Sequence, residues 1–136
     1  MRYLGLDLGS KTLGLSLSDK TGFIASDYSV LRYTNEDELI KELLLIVEKE
    51  KVEALVLGYP LNLNWTVSDR CVLTQNFKEK LEGIIDLPIY LLDERLTTVE
   101  ANNILLMNNT RRDKRKKVVD KIAAVLILQT FLDKSK

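Results

Sequence analysis

The first eighteen residues constrain the fold most. RYLGLDLG (2–9) and TLGLSLS (12–18) place an apolar residue at every second position, with glycine, serine or aspartate between. That period of two is the mark of a β-strand. Gly9-Ser10-Lys11 supplies a turn between the two runs. Asp19 to Gly22 supplies a second turn ahead of a third strand at about 23–31, so the chain opens as an antiparallel meander.

The pattern then changes. TNEDELIKELLLIVEKEK reads as a helix capped by Asn35 or Thr34. Glu36, Asp37 and Glu38 sit in its first turn, where the helix dipole favours acids. Leu39, Ile40, Leu43, Leu44, Ile46 and Val47 form its apolar face. VEALVLG (52–58) reads as a buried parallel strand, YPLNLNWTVS as a loop, and about 69–81 as a helix. LPIYLL (87–92) is the next strand. Thr97 and Glu100 have capping-box spacing for a further helix, which Asn108-Asn109-Thr110 ends. A last apolar helix spans about 117–133. This order predicts one α/β domain over 1–136, with a mixed five-stranded sheet of three meander strands plus parallel strands, and helices on both faces.

Composition narrows the chemistry. The chain has no histidine and one cysteine, which excludes imidazole catalysis and an internal disulfide and argues against zinc. No stretch reaches the roughly 18 apolar residues of a membrane span, and no signal peptide is legible, so a cytoplasmic protein is expected. The zero net charge hides an asymmetry. Of 20 basic and 20 acidic residues, six and one fall in RRDKRKK (111–117), leaving 14 against 19, a net of −5 elsewhere. A basic patch on an acidic body is where a polyanion docks.

Three acids stand at element ends: Asp7 between Gly5 and Gly9, Glu94 just after LPIYLL, and Asp120 at the head of the last helix. In open α/β sheets, ligands bind at the carboxyl ends of strands. Each acid has a plainer reading: a turn residue, a surface charge beside Arg95, and a favourable helix N-terminal charge. Jointly, and without His or Cys ligands, they suit hard oxygen coordination of Mg²⁺ or Mn²⁺ and hydrolysis of phosphodiesters. Lys11, Asn62 and Arg70, with Arg111, Arg112, Lys114, Arg115, Lys116 and Lys117, are candidate phosphate contacts. Trp65 could stack on an unpaired base or pack over its own loop.

The segments GLDLGSKTLGLSLSD, LVLGYPLNLNWT, LPIYLLDERLTTVEA and KKVVDKIAAVLILQTFLD resemble the YqgF family over about residues 3–133. Its members are bacterial pre-16S rRNA nucleases also described as Holliday-junction-resolvase-like. DERLTT and VDKIAA are the specific pieces. The resemblance implies a ribonuclease H-like fold and assigns Asp7, Glu94 and Asp120 as the metal-binding acids. It implies structured RNA, pre-16S rRNA, as substrate, with branched DNA as the alternative. Monomer and homodimer both stay open. The chain departs from the family in having Thr12 where arginine is usual and Trp65 where glycine is usual. A third possibility is an ATP-handling domain of the actin and Hsp70 type, whose phosphate loop has the character of residues 6–10. One lobe of this length is short for that role.

Overall fold

The computed structural model describes residues 1–59, 69–93 and 112–134, and of 69–70 and 112–122 the backbone alone. Along the chain run β1 (Tyr3–Leu8), β2 (Thr12–Ser18), β3 (Ala25–Arg32), α1 (Glu36–Glu50), β4 (Ala54–Tyr59), α2 (Asp69–Ile84), β5 (Ile89–Asp93) and α3 (Arg112–Lys134). The strands form one sheet in the order β3-β2-β1-β4-β5, with β1 central. β2 is antiparallel to β1 and to β3, which is the expected meander. β4 pairs parallel with both β1 and β5.

The alternation in the sequence sorts residues between two layers. Leu4, Leu6, Leu8, Leu13, Leu15 and Leu17 pack with Leu39, Ile40 and Leu43 of α1 and Phe77 and Leu81 of α2. Each such side chain contributes roughly 1.5–3 kcal/mol of transfer free energy before chain entropy is counted. The other face of the sheet is covered by α3, whose Ile127, Leu128 and Leu132 cluster with Val56 and Leu92. Helices therefore lie on both faces, as expected. Both layers are close-packed around β1 and β2, which explains why nearly every residue of β2 is buried.

Local chemistry fixes the ends of the elements. Asn35 is the cap of α1, its side-chain oxygen accepting from the Asp37 amide at 2.8 Å. Between β2 and β3, the Asp19 carboxylate accepts from the amides of Phe23 and Ile24 and from the Thr21 hydroxyl. Gly22 takes φ 77° there, a conformation that costs glycine little. This hub uses Phe23 and Ile24 in the turn, so β3 starts at Ala25 and not at 23. α2 runs three residues beyond its expected end, to Ile84. β5 is shifted to end on Asp93.

The last helix departs most from expectation. It begins at Arg112 and not near 117. Arginine and lysine are good helix formers, and nothing between 112 and 117 breaks a helix. Most of the basic stretch thus forms the first turns of α3, and Asp120 lies in its third turn. The plainer reading of Asp120, a charge at the helix N-terminus, fails because dipole effects fade within the first turn. The helix expected from Thr97 falls outside the described residues.

Candidate active site

Because Leu4, Leu6 and Leu8 face α1 and α2, the intervening Tyr3, Gly5 and Asp7 belong to the face covered by α3. Asp7 is the penultimate residue of β1, at the carboxyl end of the central strand, and is half-buried. Gly5 is the point of closest approach to the helix. A Cβ there would lie 2.8 Å from Leu128 Cβ and 3.1 Å from the Ala124 carbonyl oxygen, and would overlap Ser16 Oγ. The Ser16 hydroxyl, wholly buried, donates to the Ala124 carbonyl at 2.6 Å. Small residues on this face, Gly5, Gly14 and Ser16, are what let α3 settle onto the sheet.

These contacts set the direction and level of α3. The Phe131 ring meets Tyr3 at a centroid distance of 5.6 Å, whereas Leu128 and Ala124 lie against Gly5. The helix therefore runs antiparallel to β1. One helical turn from Ala124 back to position 120 rises about 6 Å. From Gly5 on to Asp7 the strand advances about 6.6 Å. The two steps match, so the backbone at position 120 comes level with Asp7. Position 120 stands four, seven and eight residues before Ala124, Ile127 and Leu128, all fully buried.

The third acid follows β5 in sequence. Register pairs Gly58 with Leu92 and Tyr59 with Asp93, which brings the end of β5 to the same sheet edge. Leu92 is buried in the α3-side cluster, so Asp93 alternates to the opposite face from Asp7. Of the two adjacent acids, Asp93 is thus turned away from the site. Glu94 lies outside the described residues, as do Asn62, Trp65 and Arg111. Arg70, Arg112, Lys114, Arg115, Lys116 and Lys117 stand on described helical backbone. No group of three or more His, Cys, Asp or Glu that could hold a metal stands together among the described residues, of which Asp7 is the one acid of the trio whose side chain is included.

Lys11 is exposed in the β1–β2 turn, beside the Asp7 edge. Tyr33 grips that turn twice: its amide donates to the Lys11 carbonyl at 3.0 Å, and its hydroxyl donates to the Gly9 carbonyl. Partial burial, then the nearby Glu36 charge, push the Tyr33 pKa up, so its hydroxyl stays a donor at neutral pH. Sequence reasoning missed Tyr33 and Ser16. Ser16 had a signal, since small residues alternate with leucine through β2 and one face of small residues admits a close helix. Tyr33 had none beyond an aromatic residue next to a strand end.

The donor chemistry suits a hard divalent cation. The acids offer oxygen, the chain lacks histidine, and its one cysteine, Cys71, is buried in α2. The family model described as RuvX: Holliday junction resolvase matches residues 1–134. The chain belongs to this family. A relative from Clostridium kluyveri, named "Putative pre-16S rRNA nuclease", is 46% identical over 134 residues, 98% of each chain. A Bacillus subtilis relative of the same name is 43% identical over 135 residues, again 98% of each. Among solved structures, Thermus thermophilus RuvC in complex with a Holliday junction substrate superposes with a TM-score of 0.59 at 14% identity, covering 99% of this chain and 96% of that one. The yeast mitochondrial Holliday junction resolvase Ydc2 gives 0.54 at 13% identity, covering 98% and 84%. Those likenesses establish that this RuvX family member has the ribonuclease H-like fold.

Proposed function

We propose that this RuvX family chain is a metal-dependent nuclease that hydrolyses phosphodiester bonds in 5′-end processing of pre-16S rRNA. One observation supports the reading: the Gly5–Ser16–Ala124 contact lies one helical turn of α3 from position 120 and two residues of β1 from Asp7. Asp7, Asp120 and Glu94 then form the acid cluster, and the names of the close relatives point to ribosomal RNA.

Mg²⁺ or Mn²⁺ bound there supplies Lewis acidity, lowering the pKa of water and neutralising charge on the scissile phosphate. The chain's own part is to hold the acids together. Ionised carboxylates at close range repel one another, and a divalent cation relieves that repulsion. Phosphate grip falls to Lys11, Asn62 and Arg70 and to the basic turns from Arg111 to Lys117. Cations in the first turns of α3 add to the positive end of the helix dipole. The helix N-terminus gains a positive potential at a small expense in helix stability, which favours a polyanion. The whole of 1–136 acts as one nuclease domain in the cytoplasm. Among the described residues, no helix is long and apolar enough to cross a membrane.

Junction resolution is the second reading, favoured by the family description and by fold neighbours that are resolvases. The test incubates the protein with a 5′-extended pre-16S rRNA fragment and a four-way DNA junction, each with Mg²⁺, Mn²⁺ or EDTA. Metal-dependent cutting of the RNA alone is expected. Cutting of the junction alone moves the protein to recombination. Cutting that persists in EDTA refutes metal dependence.

A further inference from the structure

Arg32 is the last residue of β3 and takes no part in the site as described so far. Register places it. Asp7 pairs with Gly14, Gly14 with Val30, and Thr12 with Arg32. Asp7, Gly14 and Val30 therefore lie on one line across the sheet and on one face. Arg32 lies two residues further along β3, on the same face as Asp7 and towards the same edge. Two strand spacings and two residues of rise separate the Cα atoms by on the order of 12 Å.

Arg32 and Lys11 are both exposed. Neither makes an ion pair or a side-chain hydrogen bond with any described residue. At the strand end they also border, with Tyr33 and Thr34, a hollow that opens towards α1 on the other face of the sheet from Asp7, so the two cations stand at the rim between the faces. Glu38 and Glu42 of α1 line the same hollow. Those acids repel a phosphate chain from α1, while the two cations attract it on the sheet side. Position 112 begins α3 about 12 Å along the helix from position 120, beyond the Asp7 end of β1.

We infer that Arg32, with Lys11, is a phosphate-binding station on the meander side of the acid cluster. It takes the backbone of the nucleic acid about two to four nucleotides from the scissile phosphate, given one charge per about 3.4 Å along a strand. This rests on the nuclease reading, and deepens it by stating which way the substrate runs: from the basic turns of α3, across Asp7, to Arg32. The wall of Glu38 and Glu42 bounds the track on that side. The turn that carries Lys11 is held by Tyr33, the neighbour of Arg32, so the two backbone positions are tied together.

The test measures binding of the labelled pre-16S rRNA fragment by anisotropy across a salt series. It uses the Asp7→Asn protein with Mg²⁺, beside a cleavage assay on the wild type. Adding Arg32→Ala should weaken binding about 3- to 10-fold and lower the salt slope by about 1. Arg32→Lys should restore most of the loss. Lys49→Ala, in the last turn of α1, should change nothing. Trimming the RNA on one flank of the cut site, and not on the other, should abolish the effect of Arg32→Ala. Unchanged affinity and slope in Arg32→Ala overturn the inference while cleavage by the wild type leaves the nuclease reading standing. Equal losses in the Arg32 and Lys49 variants overturn it too, since any surface cation would then serve. A wild type that neither binds nor cuts overturns both.

Discussion

Replacing Gly5 with alanine puts one methyl group into the contact that positions α3. The new Cβ lies 2.8 Å from Leu128 Cβ and 3.1 Å from the Ala124 carbonyl oxygen, and inside the radius of Ser16 Oγ. None of these is the loose end of a long side chain. Ser16 Oγ can rotate away only by giving up its bond to Ala124, worth about 1 kcal/mol. Leu128 Cβ and the Ala124 carbonyl can retreat only with the helix. Overpacking of this kind costs about 1–3 kcal/mol, offset by up to about 1 kcal/mol from the lower chain entropy of unfolded alanine. With the roughly 1 kcal/mol of the Ser16 bond added and the entropy offset subtracted, the net expectation is a loss of about 1–3 kcal/mol, or roughly 3–15 °C in the melting midpoint for a chain of this size. The same shift carries position 120 away from Asp7. A displacement near 1 Å can cost about 100-fold in rate, so metal-dependent cleavage should fall by about 10- to 100-fold at temperatures where the variant is folded. Thermal melts by circular dichroism and single-turnover cleavage check both effects. Gly83→Ala is the control, because a Cβ built at Gly83 in α2 meets nothing within 4 Å beyond its own turn of helix, and it should lose no stability. A Gly5→Ala protein that melts and cuts like the wild type would refute the claim that this contact sets the level of α3.

Other expectations follow from single contacts. Asn35→Ala removes the cap on the Asp37 amide and should cost about 0.5–2 kcal/mol by urea denaturation, with cleavage little changed. In the β2–β3 turn, the Ile24 amide, followed by the Thr21 hydroxyl, holds the Asp19 pKa well below its ordinary value of 3.8. A carboxyl lowered on folding stabilises above that ordinary value, and the benefit is lost as pH falls below it. Asp19→Asn should therefore lower stability at pH 6 more than at pH 2.5 in parallel urea titrations, and an equal loss at both would contradict the assignment.

Much of this architecture was legible because apolar spacing reports it directly. Leucines at every second position through β1 and β2 announced both strands and the face they bury. Asn35 and the acids after it announced the start of α1. The start of α3 was not legible. Residues 112–117 are charged helix formers without an apolar stripe, so periodicity had nothing to register until the helix reached the core. The corrected start changes the site, since it moves Asp120 from a helix end, where its charge explains itself, into the third turn. Long-range geometry was also out of reach. That Gly5 receives Ala124 and Leu128, more than a hundred residues away in sequence, cannot be read from either segment alone, although the small residues facing them in β2 hinted at a close helix. Arg32 escaped notice because its importance comes from register across three strands. Asp7 was placed by its strand alone, and the structure puts it where a strand-end reading expects.

Asp7 and Asp120, with Glu94, are proposed to hold a divalent cation at one corner of the sheet. Calorimetric titration of Mn²⁺ into the wild type, Asp7→Asn and Asp120→Asn tests it without relying on any substrate. Saturable binding by the wild type is expected, with a loss of at least about tenfold in affinity in each variant and circular dichroism unchanged. Equal Mn²⁺ affinity in all three folded proteins would contradict it, because the cation would then sit elsewhere.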